Sequence, residues 1–108
     1  MGNNKTQLKK EFIKIIAERF ESWNDSKDGP PDLEKLIMYL IGCSIIPEKQ
    51  INRFMIVDYY PKILKANEGK KLRTIYTLED IINIQQTQIY NILKNYSKTF
   101  RYNKNLIE

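Results

Sequence analysis

Apolar residues in this chain return at every third or fourth position, and that period commits it to helices. Between residues 6 and 23, Leu8, Phe12, Ile16 and Phe20 recur at intervals of four, and Ile13, Ile15 and Trp23 widen the stripe. Lys9, Lys10, Glu11, Lys14, Glu18 and Arg19 take the other side. The spacing predicts an amphipathic helix over residues 6–24, with Thr6 as a candidate N-cap. An aromatic stripe of this kind is ordinarily core, but a dimer seam needs the same pattern. The polar residues 1–5 are expected to fray. Gly2 with Thr6 formally fits the N-myristoylation pattern, a match too short and common to carry a lipid reading.

The same period continues beyond the breaker cluster NDSKDGPP at 24–31, which must be a loop. A second helix is expected from about Asp32, with Pro31 tolerated at its first turn. Leu33, Leu36, Ile37, Leu40 and Ile41 give it an apolar face, and Met38 and Tyr39 make it apolar nearly all round, which suggests a central helix ending at 42–44. Pro47 opens a third helix with Ile51, Phe54, Met55 and Tyr59 as its expected inner face. Pro61 lacks an amide donor and should break or kink that helix between 58 and 61, leaving a short continuation to Asn67 and a stop at Gly69. Residues 70–82 read as one helix or as two; Thr77 followed by Asp80 suits an N-cap, and two is the preferred reading. The result is an all-α fold, a compact bundle of five to six helices in a single domain. It divides into a first helix (6–24), a helical core hairpin (32–67), a two-helix C-terminal unit (70–98) and a basic tail (99–108) without turn signals for a wing.

Charge is unevenly placed. Residues 1–61 hold nine Lys/Arg and nine Asp/Glu, whereas residues 62–108 hold nine Lys/Arg against four acids, so the whole net charge of +5 lies in the second part. Such one-sided basicity is the footprint of a polyanion partner. A solvated lysine-rich surface explains it equally well, because Ile, Lys and Asn, all with AT-rich codons, supply 41 of the 108 residues. One cysteine and no histidine exclude internal disulfides and make a zinc site or a Ser-His or Cys-His nucleophile untenable. Cys43, inside YLIGCSII, reads as a buried inert thiol. Without an apolar run of membrane-spanning length, or the apolar core of a signal peptide, the expectation is a cytoplasmic protein with no membrane partner. Nothing suggests a cofactor, a metal or a small-molecule ligand, and nothing recommends an enzyme.

The richest stretch is LEDIINIQQTQIYNILKNYSK, residues 78–98. Leu78 and Ile82, four apart, mark one helix face; Ile89, Ile92 and Leu93 mark the inner face of another. Between them lie Asn83, which tolerates a left-handed backbone, and Ile84, placed to plug the angle between the helices. This spacing resembles that of the helix-turn-helix superfamily of DNA-binding proteins over about residues 75–98. It departs from the usual pattern at Asn83, where glycine is most frequent, and at Glu79, where a small residue is. The resemblance implies a second helix, from about Gln85, that enters the DNA major groove. Ile46, Ile51 and Phe54 repeat the intervals of Ile84, Ile89 and Ile92, and Leu40 and Gln50 match Leu78 and Gln88 at the same offset. A plain helical hairpin is preferred there over a second such unit, because Glu48 would face phosphate.

On the second helix, Gln85, Gln86, Thr87, Tyr90, Asn91 and Lys94 are the outward positions. Gln and Asn form paired hydrogen bonds with adenine, Thr meets the thymine methyl, and Tyr90 and Lys94 reach phosphate. Lys70, Lys71 and Arg73 before the unit, with Lys98 and Arg101 after it, are candidates for backbone contacts, or equally a solvated surface. The expectation is a small non-enzymatic binder of double-stranded DNA, a transcriptional regulator or a mobile-element or phage accessory factor. A homodimer, built on the first or second helix, would set two reading helices one DNA turn apart. The alternative is a helical protein–protein module. A weaker third is RNA binding through stacking on Tyr96, Phe100 and Tyr102.

Overall fold

A computed structural model describes residues 3–107, with side chains from residue 7 onward. Five α-helices follow one another: α1 (Asn3–Asn24), α2 (Leu33–Gly42), α3 (Glu48–Ala66), α4 (Lys71–Ile82) and α5 (Gln86–Tyr96), then a 3-10 turn at Lys104–Leu106. Among the described residues there is no strand. No described helix is long and apolar enough to cross a membrane. Contacts gather the chain into two compact units: α1, α2 and the C-terminal residues from Tyr102 form one, and Pro47–Arg101 the other. Residues 40–54, the stretch that echoes 78–92, divide between them.

The Pro47–Arg101 unit owns the core. Ile56 of α3, Ile75 and Leu78 of α4 and Ile89 of α5 are buried together. Tyr59, Tyr60, Ile63, Ile82, Ile84, Ile92 and Leu93 pack around them. The inner face of α3 is therefore Ile56, Tyr59, Tyr60 and Ile63, rather than the Ile51–Phe54–Met55–Tyr59 face expected. Five large apolar residues in seven positions (51, 54–57) leave the period ambiguous, and packing against α4 and α5 selects the face. Phe54 instead lies at the surface, edge-on to Phe100 with ring centroids 5.6 Å apart.

Two expected breaks are absent. α3 runs unbroken through Pro61. An interior proline costs about 3 kcal/mol through its lost hydrogen bond and ring clash. Burial of Ile56, Tyr59 and Tyr60 before it and Ile63 after it holds both segments on one core. α4 likewise passes through Thr77, whose hydroxyl donates to the Arg73 carbonyl at 2.9 Å rather than capping a new helix. Thr74, Ile75 and Leu78 form one buried face that a break would split. At the end of α3, Glu68 and Gly69 both take positive φ, and the Gly69 amide donates to the Leu64 carbonyl at 2.8 Å, closing the helix with a left-handed cap.

The other unit is thin. α1 begins at Asn3, so Thr6 is not its N-cap. Of its apolar stripe only Phe20 is buried, stacked with Trp23 and Tyr39 at centroid separations of 5.9 Å each. Leu8, Phe12, Ile13 and Ile15 are exposed. α2 starts where expected, with Asp32 accepting from the Lys35 amide at 2.8 Å. It is not a central helix: none of its residues is buried, and Leu33 is 79% and Met38 61% exposed. Cys43 is exposed too, contrary to the buried thiol expected. Apolar character all round a helix signals burial only if other elements surround it, and here α1 covers one side.

Leu78→Ala should destabilise the fold by about 2–5 kcal/mol in urea unfolding, because it opens a cavity in the one dense core. The matched truncation Leu72→Ala, at an exposed position of the same helix, should change stability by no more than about 0.5 kcal/mol. Equal costs at the two positions would contradict this packing.

Candidate nucleic-acid interface

Asn83 makes the geometry possible. Its backbone lies at φ 62, ψ 48, the left-handed region that asparagine tolerates better than most residues. Its amide donates to the Glu79 carbonyl at 2.8 Å and ends α4. Two residues later α5 begins, with Gln85 as N-cap; the Gln88 Oε1 accepts from the Gln85 amide at 3.4 Å. Ile84 packs into the core between the two helices, as a plug at the bend must.

Burial of Ile89 fixes the rotation of α5. At 100° per residue, Thr87, Asn91 and Lys94 lie within about 40° of the direction opposite Ile89. All three are exposed. Tyr90 stands on the flank, also exposed. Gln85 and Gln86 fall nearer the core side. Gln85 is exposed at the N-cap. Gln86 is half-buried, and its Nε2 donates to the Glu79 Oε1 at 3.3 Å. Glu79 occupies the position where a small residue is usual, and its carboxylate is accommodated by this cross-helix bond. The six candidates thus separate into an outward trio, a flanking tyrosine, a capping glutamine and a glutamine already engaged.

The amide surface extends further than the sequence spacing indicated. Gln88 and Asn95, both exposed, lie on the α3 side of α5. With Asn52 and Arg53 of α3 and Asn91 they line an open cleft of about 660 Å³. Arg53 lies over the Tyr96 ring at 4.4 Å and donates from Nη1 to the Gln50 Oε1 at 3.2 Å. The stacking orients a guanidinium beside the amides. Asn91 and Asn95, four apart, carried a helical-face signal for part of this set. Asn52 and Arg53 carried none, since only the packing of α3 brings them alongside.

Lys70 is the N-cap of α4, Lys71 and Arg73 occupy its first turn, and all three are exposed. The first turn of α4 holds no acid. Cations at a helix N-terminus oppose the helix dipole, by about 0.3–1 kcal/mol each, an expense that a bound anion would offset. Lys98 and Arg101 follow α5 and are exposed. Among the described residues the ion pair is Lys62 with Asp58 at 3.0 Å, so none of the five candidate backbone cations is neutralised by a carboxylate.

No protein-family model and no solved structure matches the chain. It is similar to an uncharacterized protein, "Uncharacterized protein 1070", of Sulfolobus islandicus rod-shaped virus 1, with 26% identity over 113 aligned residues that take in 89% of the chain. The chain spans about a tenth of that relative's length.

The Glu79–Gln86 bond is directly testable. Glu79→Ala should shift the Gln86 side-chain amide resonances in NMR, at a stability cost of about 0.5–1 kcal/mol for a partly exposed bond. Unmoved Gln86 resonances would show that the glutamine is not held.

Proposed function

We propose that this chain is a small non-enzymatic protein that binds double-stranded DNA by laying α5 in the major groove, in the manner of a helix-turn-helix. One observation carries the reading: the left-handed turn at Asn83 and the burial of Ile89 leave Thr87, Asn91 and Lys94 on one exposed face, with cations that no described carboxylate neutralises before and after them in the chain. Asn91 supplies paired hydrogen bonds to adenine, Thr87 a methyl contact to thymine, and Lys94 a phosphate contact. Lys70, Lys71, Arg73, Lys98 and Arg101 bind the sugar–phosphate backbone on either side. Tyr90 adds a phosphate contact from the flank. Gln85 and Gln86 reach bases only at the edge of this surface, Gln86 after release from Glu79. The protein would serve as a transcriptional regulator or as an accessory factor of a mobile element or virus, and the similarity to a viral protein weighs towards the second role.

The alternative, a helical protein–protein module, draws on the exposed apolar residues of α1 and α2. The two readings part on duplex DNA. In a salt titration the log of DNA affinity should fall linearly with log salt, with a slope near −0.9 per phosphate contact. Lys70→Ala with Lys71→Ala should reduce that slope by about 2, uniformly across sequences. Asn91→Ala should lower discrimination among sequences by about 1–3 kcal/mol. A salt-independent affinity, or none at low salt, would leave the module reading in possession.

A further inference from the structure

Side-chain amides converge on the cleft between α3 and α5 from both helices: Asn52 from α3, and Gln88, Asn91 and Asn95 from α5. Those on α5 stand three and four residues apart, so a single helix face presents them together. Asn52, Asn91 and Asn95 bond their side chains to no other described residue. Gln88 engages only its Oε1, with the Gln85 amide at 3.4 Å. Reading a duplex with the outward face of α5 uses Asn91 and leaves Asn52, Gln88 and Asn95 idle. At about 660 Å³ the cleft has the size of sites that hold small molecules, about 300–1,000 Å³.

The α3 side of the cleft is cationic and held in place. Arg53 lies over the Tyr96 ring at 4.4 Å, and its Nη1 donates to the Gln50 Oε1 at 3.2 Å. Two contacts thus fix a long side chain that would otherwise sample many rotamers. No described carboxylate pairs with Arg53, or with Lys49 one turn before it. With the exposed Glu48 counted, the cleft keeps one positive charge in excess, which one phosphodiester neutralises. A guanidinium backed by an aromatic ring can take a second flat ring on its other side, and unstacked nucleobases lie on arginine planes in this way. An amide sets a donor beside an acceptor, the pair that meets N6 and N7 of adenine. A peptide fits less well. Peptide grooves rely on apolar side-chain pockets or a free sheet edge. The aliphatic lining here is Ile84 and Ile92, and Arg53 already covers Tyr96.

We infer that this cleft binds one unpaired adenine nucleotide, with the base stacked on Arg53, its edge bonded to amides from both helices, and its phosphate set against Lys49. A paired base cannot bind in this way, because a duplex shows only its groove edge and covers its faces with neighbouring bases. The same base, sugar and phosphate chemistry is offered by a free mononucleotide and by an unpaired position in a nucleic-acid strand. Asn52 and Arg53 lie outside the residues assigned to the duplex, so the inference stands whether or not α5 enters a major groove.

NMR titration of the full isotope-labelled chain tests it, with adenosine monophosphate in one arm and a short single strand of deoxyadenosines in the other. The side-chain amide resonances of Asn52, Asn91 and Asn95 should shift saturably, with a dissociation constant of about 1 mM or below for the mononucleotide. A strand that binds about tenfold tighter supports a nucleic-acid source, and comparable affinities support the free nucleotide. Ribose phosphate, which lacks the base, should bind about tenfold more weakly than adenosine monophosphate. Arg53→Ala should weaken binding about tenfold, and Arg53→Lys should recover little of it, because an ammonium keeps the charge without the plane. If Arg53→Ala loses its helical circular dichroism, Asn52→Ala replaces it and should weaken binding about fivefold. Unmoved asparagine resonances with both probes, equal affinity for ribose phosphate, or full recovery with Arg53→Lys would each overturn the proposal. Shifts confined to Thr87 and Lys94 would put the ligand on the outward face and overturn it as well. Neither probe forms a duplex, so failure here is distinct from failure of the duplex reading.

Discussion

Ile56, Ile75, Leu78 and Ile89 meet where three helices, α3, α4 and α5, exclude water almost completely. α5 depends on that contact for its existence as well as its position. Eleven residues fall below the length at which an isolated helix is stable in water, so α5 persists because burying Ile89, with Ile92 and Leu93 beside it, offsets the cost of nucleating it. Each such burial contributes about 1.5–3 kcal/mol, several times any hydrogen bond that the α5 surface makes within the protein. The same contact sets the rotation of the helix about its axis. Thr87, Asn91 and Lys94 are thereby left with no structural task.

Around this core the electrostatics are arranged at some expense. The N-terminal turn of α4 collects Lys71 and Arg73 beside the capping Lys70, where the helix dipole is least favourable to them, and no described carboxylate neutralises them. The same helix carries Glu79 towards α5, where it binds Gln86. A carboxylate there takes one amide out of the exposed set and, with the exposed Asp80 beside it and Glu48 in the cleft, places negative charge at the edges of the amide surface. Asn91, Thr87 and Lys94 are the side chains that this face presents outermost.

The two compact units differ in how they are held. The Pro47–Arg101 unit closes a core of its own, whereas α1 and α2 meet through three aromatic rings and leave most of their large apolar side chains in contact with water. Apolar surface of that extent is unusual in a self-sufficient chain. The division matches the charge distribution: the balanced part carries the apolar excess and the basic part carries the amide face.

Features governed by neighbours in sequence were legible without coordinates. The helical period, the start of α2 near Asp32, the loop at 24–31, the bend at Asn83 and the start of α5 near Gln85 all follow from side-chain spacing or from the φ that a residue tolerates. Features governed by neighbours in space were not. The continuity of α3 through Pro61, the passage of α4 through Thr77, the choice of Ile56 over Phe54 as the inward residue, and the exposure of α2 each turn on what lies against the helix. Local rules weigh a proline or a threonine at its intrinsic cost. Only the assembled core shows that burial on both sides exceeds it. The sequence by itself determined that this chain is helical and where its sharpest turn falls, because backbone conformation at Asn83 and apolar period are local properties. Which faces are buried, and therefore which amides remain exposed, was decided by tertiary packing, because burial is a property of pairs of helices and no single helix encodes its neighbour.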